Sequence, residues 1–222
     1  MKKENSLKPP FFSVIITTYN RKKLLERALS SLLNQTEKDW EVVLIDDGSE
    51  DGTSEMIPAY QKKIPRFSYI YQENKGFIQA KNEGIRRSKG EYLTFLDSDD
   101  EYAANHLENR KGILQKYPDV ELLHGGAKVI GNQYVPDNDR PGRQILVTNC
   151  AISGTFFIKR KRMLELGGFK GTPLSVDADF MKLVEQEGLQ VMKVDIPTYI
   201  YHRDTESSVT LDMMRKTEKD SR

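Results

Sequence analysis

The sequence predicts an α/β protein built on a mostly parallel, doubly wound sheet, and three observations carry that expectation. Short β-branched runs alternate with segments in helical spacing through the first hundred residues. Several of those runs end abruptly in polar or acidic residues, as strands do when they deliver side chains to one edge of a sheet. Turn residues, Asp-Gly and Gly-Gly among them, punctuate the alternation where loops are needed.

Taken in order, residues 1–10 are polar and end in Pro9-Pro10, which reads as a flexible lead-in. The run from Phe12 to Thr18 is a strand, Tyr19-Asn20 is a turn with Asn20 as a helix cap, and Leu24, Leu25, Ala28, Leu29, Leu32 and Leu33 space a helix. Arg21, Lys22 and Lys23 stand in its first turn, against the helix dipole. Residues 40–45 form a buried strand ending in Asp46-Asp47-Gly48-Ser49, and Asp51-Gly52-Thr53 opens the next helix, with Pro58 as a kink or an early end. Residues 67–71 are a short strand. Residues 77–88 are a helix opened by Gly76 and closed by Gly90. Residues 91–96 form a further buried strand, ending in Asp97-Ser98-Asp99-Asp100.

Beyond residue 100 the pattern becomes more mixed. A helix stops at Pro118, strands are expected at 120–123, 128–130, 144–148 and 154–158, and Pro136 to Gly142 makes a long loop. Helices follow at 159–166 and 177–186, then strands at 190–195 and 198–202, and a charged tail runs from 210 to 222. This organisation implies one domain over residues 11–209, with a nucleotide-binding half at 11–100 and a second half at 101–209.

Bulk composition narrows the classes. Lys and Arg number 34 against 33 Asp and Glu, so a formal charge of +1 provides no global field for nucleic acid or an anionic membrane. The single Cys150 excludes an internal disulfide framework and fits a reducing compartment. No run is apolar enough to span a bilayer and no signal-peptide core follows Met1, so a soluble, cytoplasmic protein is expected.

The chemistry concentrates in the acids. Asp97, Asp99 and Asp100 repel one another, and read alone they either cap the following helix or hold a hard divalent cation such as Mg²⁺ or Mn²⁺. Asp47, at the end of the second strand, sits where nucleotide-binding folds hydrogen-bond the nucleoside.

In register, these blocks resemble family 2 glycosyltransferases, which have the GT-A fold and invert configuration at the sugar. The resemblance covers residues 12–209. It is carried by 13–20, by Asp46-Asp47-Gly48-Ser49-Glu50-Asp51-Gly52-Thr53, by Asn74-Lys75-Gly76 with 80–84 and Gly90-Glu91-Tyr92, and by Asp97-Ser98-Asp99-Asp100. Gly167-Gly168-Phe169, Asp177-Ala178-Asp179, and His202 with Ser207-Ser208 complete it. Thr17 replaces a frequent proline, Lys81 a usual arginine, and Val176 a glutamate.

The resemblance implies transfer of a single sugar from a nucleoside diphosphate sugar, with UDP the expected carrier. The acceptor would be a glycan or a lipid-linked glycan, which would bring a cytoplasmic protein to the inner membrane surface peripherally. In the same terms Tyr19 borders the base, Thr17 offers a hydroxyl or backbone contact, Asp47 accepts from the base, and Asp97 contacts the ribose. Asp99 holds the Mn²⁺ or Mg²⁺, with Asp100 as the alternative ligand. Lys81 helps bind the diphosphate and His202 contacts the phosphate or metal. Asp177 is the catalytic base and Asp179 its reserve; His106 and His124 are structural. The competing classes are a nucleotidyltransferase that makes nucleotide sugars and a non-catalytic nucleotide-binding or interaction protein of the same fold. A glycine-rich turn after the first strand would favour the former or a dehydrogenase, and 17–20 contains no glycine.

Overall fold

The computed structural model describes residues 8–137, 140, 142–172 and 175–204. The first seven residues, Ser207-Ser208 and the segment 210–222 lie outside the described residues, as do parts of the loops at 136–142 and 168–176.

The first half forms as the periodicity requires: β1 (Phe12–Thr18), α1 (Lys22–Leu33), β2 (Trp40–Asp46), α2 (Thr53–Gln61), β3 (Phe67–Tyr71), α3 (Phe77–Arg87) and β4 (Tyr92–Phe95). Both faces of β1, β2 and β4 are buried almost throughout, which is why their sequences are continuously apolar instead of alternating. The second half supplies β5 (Glu101–Tyr102), α4 (His106–Lys116), β6 (Leu122–His124), β7 (Ala127–Gly131), β8 (Tyr134–Pro136) and β9 (Gln144–Leu146). After these come β10 (Phe157–Lys159), α5 (Arg160–Glu165), α6 (Val176–Gln186), β11 (Val191–Lys193) and β12 (Tyr199–Arg203).

Seven strands make the central sheet in the order β11-β6-β10-β4-β1-β2-β3. β3, β2, β1 and β4 are parallel, β10 runs antiparallel between β4 and β6, and β11 is parallel to β6. The chain leaves β1 toward β2 and β3, then returns to the opposite side of β1 as β4. That reversal is a topological switch point at the carboxyl ends of β1 and β4, the place where such sheets form a ligand crevice.

The larger apolar cluster joins α1, through Leu25, Leu29 and Leu32, to Phe12, Val14 and Ile16. A second joins Ile15, Leu93 and Phe95 to Met163, Phe169, Phe180 and Val184, and a third, small one joins Val43 and Ile45 to Ala80. A second sheet, β5-β12-β7, has three strands and packs Tyr102 and Tyr199 into the larger cluster, and β8-β9 make a third sheet of two strands. β5 and β8 are too short for periodicity to reveal, and the strands expected at 144–148 and 154–158 are shortened by 3₁₀ turns at 147–149 and 153–155.

Two expected pieces of punctuation take other roles. Asn20 is not the cap of α1; it adopts φ 51°, and its side chain accepts from the Glu50 amide. The first amide of α1, on Lys22, donates instead to Asp51, whose other oxygen accepts from the amide and hydroxyl of Thr53 at the start of α2. Gly90 does not close α3, which ends at Arg87. It lies against β1, where an added Cβ would meet the Ser13 nitrogen at 2.6 Å. Because that neighbour is backbone and cannot swing away, Gly90→Ala is expected to cost about 1–3 kcal/mol, read as a lower urea midpoint at unchanged slope.

Candidate active site at the sheet crevice

Register brings the acids to the crevice. Thr18 pairs with Asp46, and Ile15 with Phe95, so Asp97 arrives two residues past the paired end of β4, level with Thr17. The Leu96 amide donates to the Ile15 carbonyl and continues that register. Thr17 is half-buried there, and Tyr19 projects with 49% of its surface exposed, which leaves a ring face for a flat ligand.

Asp47 turns inward. Its Oδ1 accepts from Gln72 Nε2 at 2.6 Å and the Lys75 amide at 2.9 Å, and its Oδ2 accepts from the Gly76 amide at 2.9 Å. The side chain therefore shapes the 72–76 loop beside the crevice. Asp46 is likewise spoken for, by the Ser49 amide and the Tyr69 hydroxyl.

The three acids after β4 have three different settings. Asp97 lies 3.3 Å from Lys81 Nζ. Asp99 forms an ion pair with Arg21 at 3.0 Å, and its carbonyl accepts from Arg27. Burial pushes the Asp99 carboxyl above the ordinary range, Arg21 pulls it back, and Asp97 pushes it up again. Arg21, the residue that precedes α1, thus serves as a counter-charge for this acid.

Asp100 is 1% exposed, and both its oxygens are engaged: the Tyr199 hydroxyl donates to Oδ2 at 2.5 Å and the His202 amide to Oδ1 at 2.8 Å. Burial, then the charges of Asp99 and Asp97, hold its carboxyl well above the usual carboxylate range. This geometry makes Asp100 the anchor of β12. His202 sits at the same corner, with Nε2 2.8 Å from Glu101.

α6 presents Asp177 in its first turn. Its Oδ2 accepts from the Ser153 amide at 2.8 Å, whereas its buried Oδ1 has no hydrogen-bond partner among the described residues. Burial raises its pKa, and the nearby Lys81 charge opposes that rise. Asp179 lies elsewhere, toward Gly171, where an added Cβ would be 2.7 Å from its Oδ2. Lys81 is 2% exposed and so turned away from solvent; its Nζ donates to Ser153 Oγ at 2.9 Å. Sequence reading missed Ser153, whose short 3₁₀ turn carries no periodic signal. His106 is wholly buried against Thr198, and burial drives its pKa well down, as befits a neutral core histidine.

With this geometry in place, comparison with known proteins decides the family. The pattern described as Glycosyl transferase family 2 matches residues 13–187. The chain belongs to that family. A Campylobacter jejuni relative named GalNAc(5)-diNAcBac-PP-undecaprenol beta-1,3-glucosyltransferase is 38% identical over 125 residues, which are 55% of this chain and 38% of the relative. Staphylococcus aureus TarS 1-349 in complex with UDP-GlcNAc superposes with a TM-score of 0.73 at 21% identity, covering 90% of this chain and 60% of that one. The mannosyltransferase PcManGT from Pyrobaculum calidifontis, in complex with GDP-Man and Mn²⁺, gives 0.69 at 20% identity, covering 92% and 60%. These likenesses establish the GT-A fold. In the curated relatives matched first, the alignment spans 14% to 40% of the relative's length, so the family members are commonly longer than the shared region.

Proposed function

We propose that the chain transfers one sugar, with inversion, from a nucleoside diphosphate sugar, UDP being the carrier, to a glycan or lipid-linked glycan. The observation that carries this reading is the position of Lys81. Its ammonium is 3.3 Å from Asp97 on one side and bonded through Ser153 to Asp177 on the other, so a crevice acid and a candidate base face each other across one short bridge.

The acceptor oxygen would form a bond to the anomeric carbon as the bond from that carbon to the diphosphate oxygen breaks. The acceptor proton would pass to Asp177 Oδ1, which has no competing donor among the described residues. Tyr19 would border the base, Thr17 would contact the nucleoside, and the loop shaped by Asp47 would bound the same pocket. Asp97 would take the ribose, and His202 would sit near the phosphates.

Asp99 would hold the divalent cation through a carboxylate whose Oδ2 pairs with Arg21 at 3.0 Å, and among the described residues no group of three or more His, Cys, Asp or Glu is gathered for a metal, so substrate phosphates would have to supply most of the remaining oxygens. Mg²⁺ or Mn²⁺ takes one or two carboxylates together with substrate phosphates, and when bound it would neutralise the charge on the departing diphosphate. Support for the donor class comes from TarS, solved with UDP-GlcNAc, and from PcManGT, solved with GDP-Man and Mn²⁺. Support for the acceptor class comes from the name of the Campylobacter relative. A lipid-linked acceptor would place the reaction at a membrane surface; among the described residues no helix is long and apolar enough to cross one. A panel of UDP-, GDP- and dTDP-sugars assayed for donor hydrolysis with Mn²⁺ tests the reading. Sugar release is expected from a UDP-sugar, and silence across the panel would overturn it.

A further inference from the structure

Lys81 is an unusual place for a charge. It lies on α3 at 2% exposure, with Nζ 4.4 Å from the centre of the Phe77 ring, 5.5 Å from Phe95 and 5.6 Å from Phe169. An ammonium stripped of water this completely needs negative or π partners on every side. Three rings, the Asp97 carboxylate and the Ser153 hydroxyl supply them.

The partners belong to different parts of the site. Asp97 follows β4 and faces the donor side of the crevice, whereas Ser153 lies in the 3₁₀ turn before β10 and gives its amide to Asp177 on α6. Ser153 is itself held, because an added Cβ at the adjacent Gly154 would meet the Tyr199 ring. The charged groups that act on Asp177 are Lys81 from α3 and Asp97 from the segment after β4.

We propose that Lys81 is a positioning residue which couples the donor side to the base: by bridging Asp97 and Ser153 it fixes the Ser153 amide on Asp177 and keeps that carboxylate ionised for proton transfer. This role replaces the diphosphate contact expected of Lys81, and it rests on Asp177 being the base. Donor engagement of Asp97 then acts on Asp177 through one ammonium, so the base is tuned by what the crevice holds.

The test is Lys81→Met in the full chain, with Lys81→Arg and Ser153→Ala beside it. Asp177 is titrated directly by carboxyl ¹³C NMR, a readout that needs no turnover. Removing a cation beside a carboxylate raises its pKa, so the Asp177 titration is expected to move up by about one pH unit or more in Lys81→Met, and the acid limb of kcat to move with it. The Arg variant restores both. Ser153→Ala keeps the backbone amide but cuts the hydroxyl bridge; it covers the case in which Lys81→Met fails to fold, and its Asp177 titration moves in the same direction. An unmoved Asp177 titration in the folded variants overturns the inference. So does a raised Kd for UDP with the titration unchanged, which would return Lys81 to the diphosphate. Absence of turnover in the wild-type protein would instead strike the transferase reading, and the titration would still report the coupling.

Discussion

Asp177→Asn is expected to lower sugar transfer by about 10²–10⁴-fold, the range that a positioned general base contributes, while leaving UDP affinity unchanged. The amide is nearly isosteric and its oxygen can still accept from the Ser153 amide, so the fold at the start of α6 survives. What is lost is the ability of Oδ1 to take a proton. Burial raises the pKa of this carboxyl, which suits a base by increasing its proton affinity, and the nearby ammonium keeps the rise in check. Asp179→Asn, with its carboxylate turned to Gly171, is expected to retain turnover. Assays of transfer and slow donor hydrolysis in both variants decide between them; activity that survives in the first and dies in the second would exchange their roles.

Asp99→Ala is expected to abolish the metal dependence of UDP binding. In the wild-type protein, removal of Mn²⁺ by EDTA should weaken UDP binding by at least about tenfold, since a Lewis acid on phosphoryl oxygens contributes several kcal/mol. In the variant, calorimetry with Mn²⁺ and with EDTA should give the same affinity. Arg27 grips the Asp99 carbonyl and not its carboxylate, so the chain keeps that contact when the side chain is cut back. Equal wild-type UDP affinity with and without EDTA would sink the metal assignment.

The first half of the fold was legible because β1, β2 and β4 are apolar runs buried on nearly all of both faces, with segments in helical spacing between the strands. Periodicity and burial then report the same thing. It faded after residue 100, where β5 has two residues and β8 three, too few to repeat, and where β10 enters the sheet antiparallel through pairings that no local pattern encodes. In the site, Asp97, Asp99 and Asp177 were legible as acids at element ends. Their partners were not: that Arg21 would neutralise Asp99, or that Ser153 would hold Asp177, depends on contacts spanning 78 and 24 residues. Asp47 and Asp100 show the same limit from the other side. Position along the chain marked both as ligands, and only three dimensions reveal that both Asp100 oxygens, and each of the Asp47 oxygens, already have protein donors.

The bond between Asp100 and β12 also has a temporal meaning. Tyr199 and His202 lie 99 and 102 residues further along the chain, so the loop they close is among the longest here and its entropy must be met late. During synthesis the parallel strands β1 to β4 can pair while Asp100 still lacks its donors. The corner that would hold the diphosphate thus depends for its final shape on His202, 102 residues further on, and so on nearly the whole described chain.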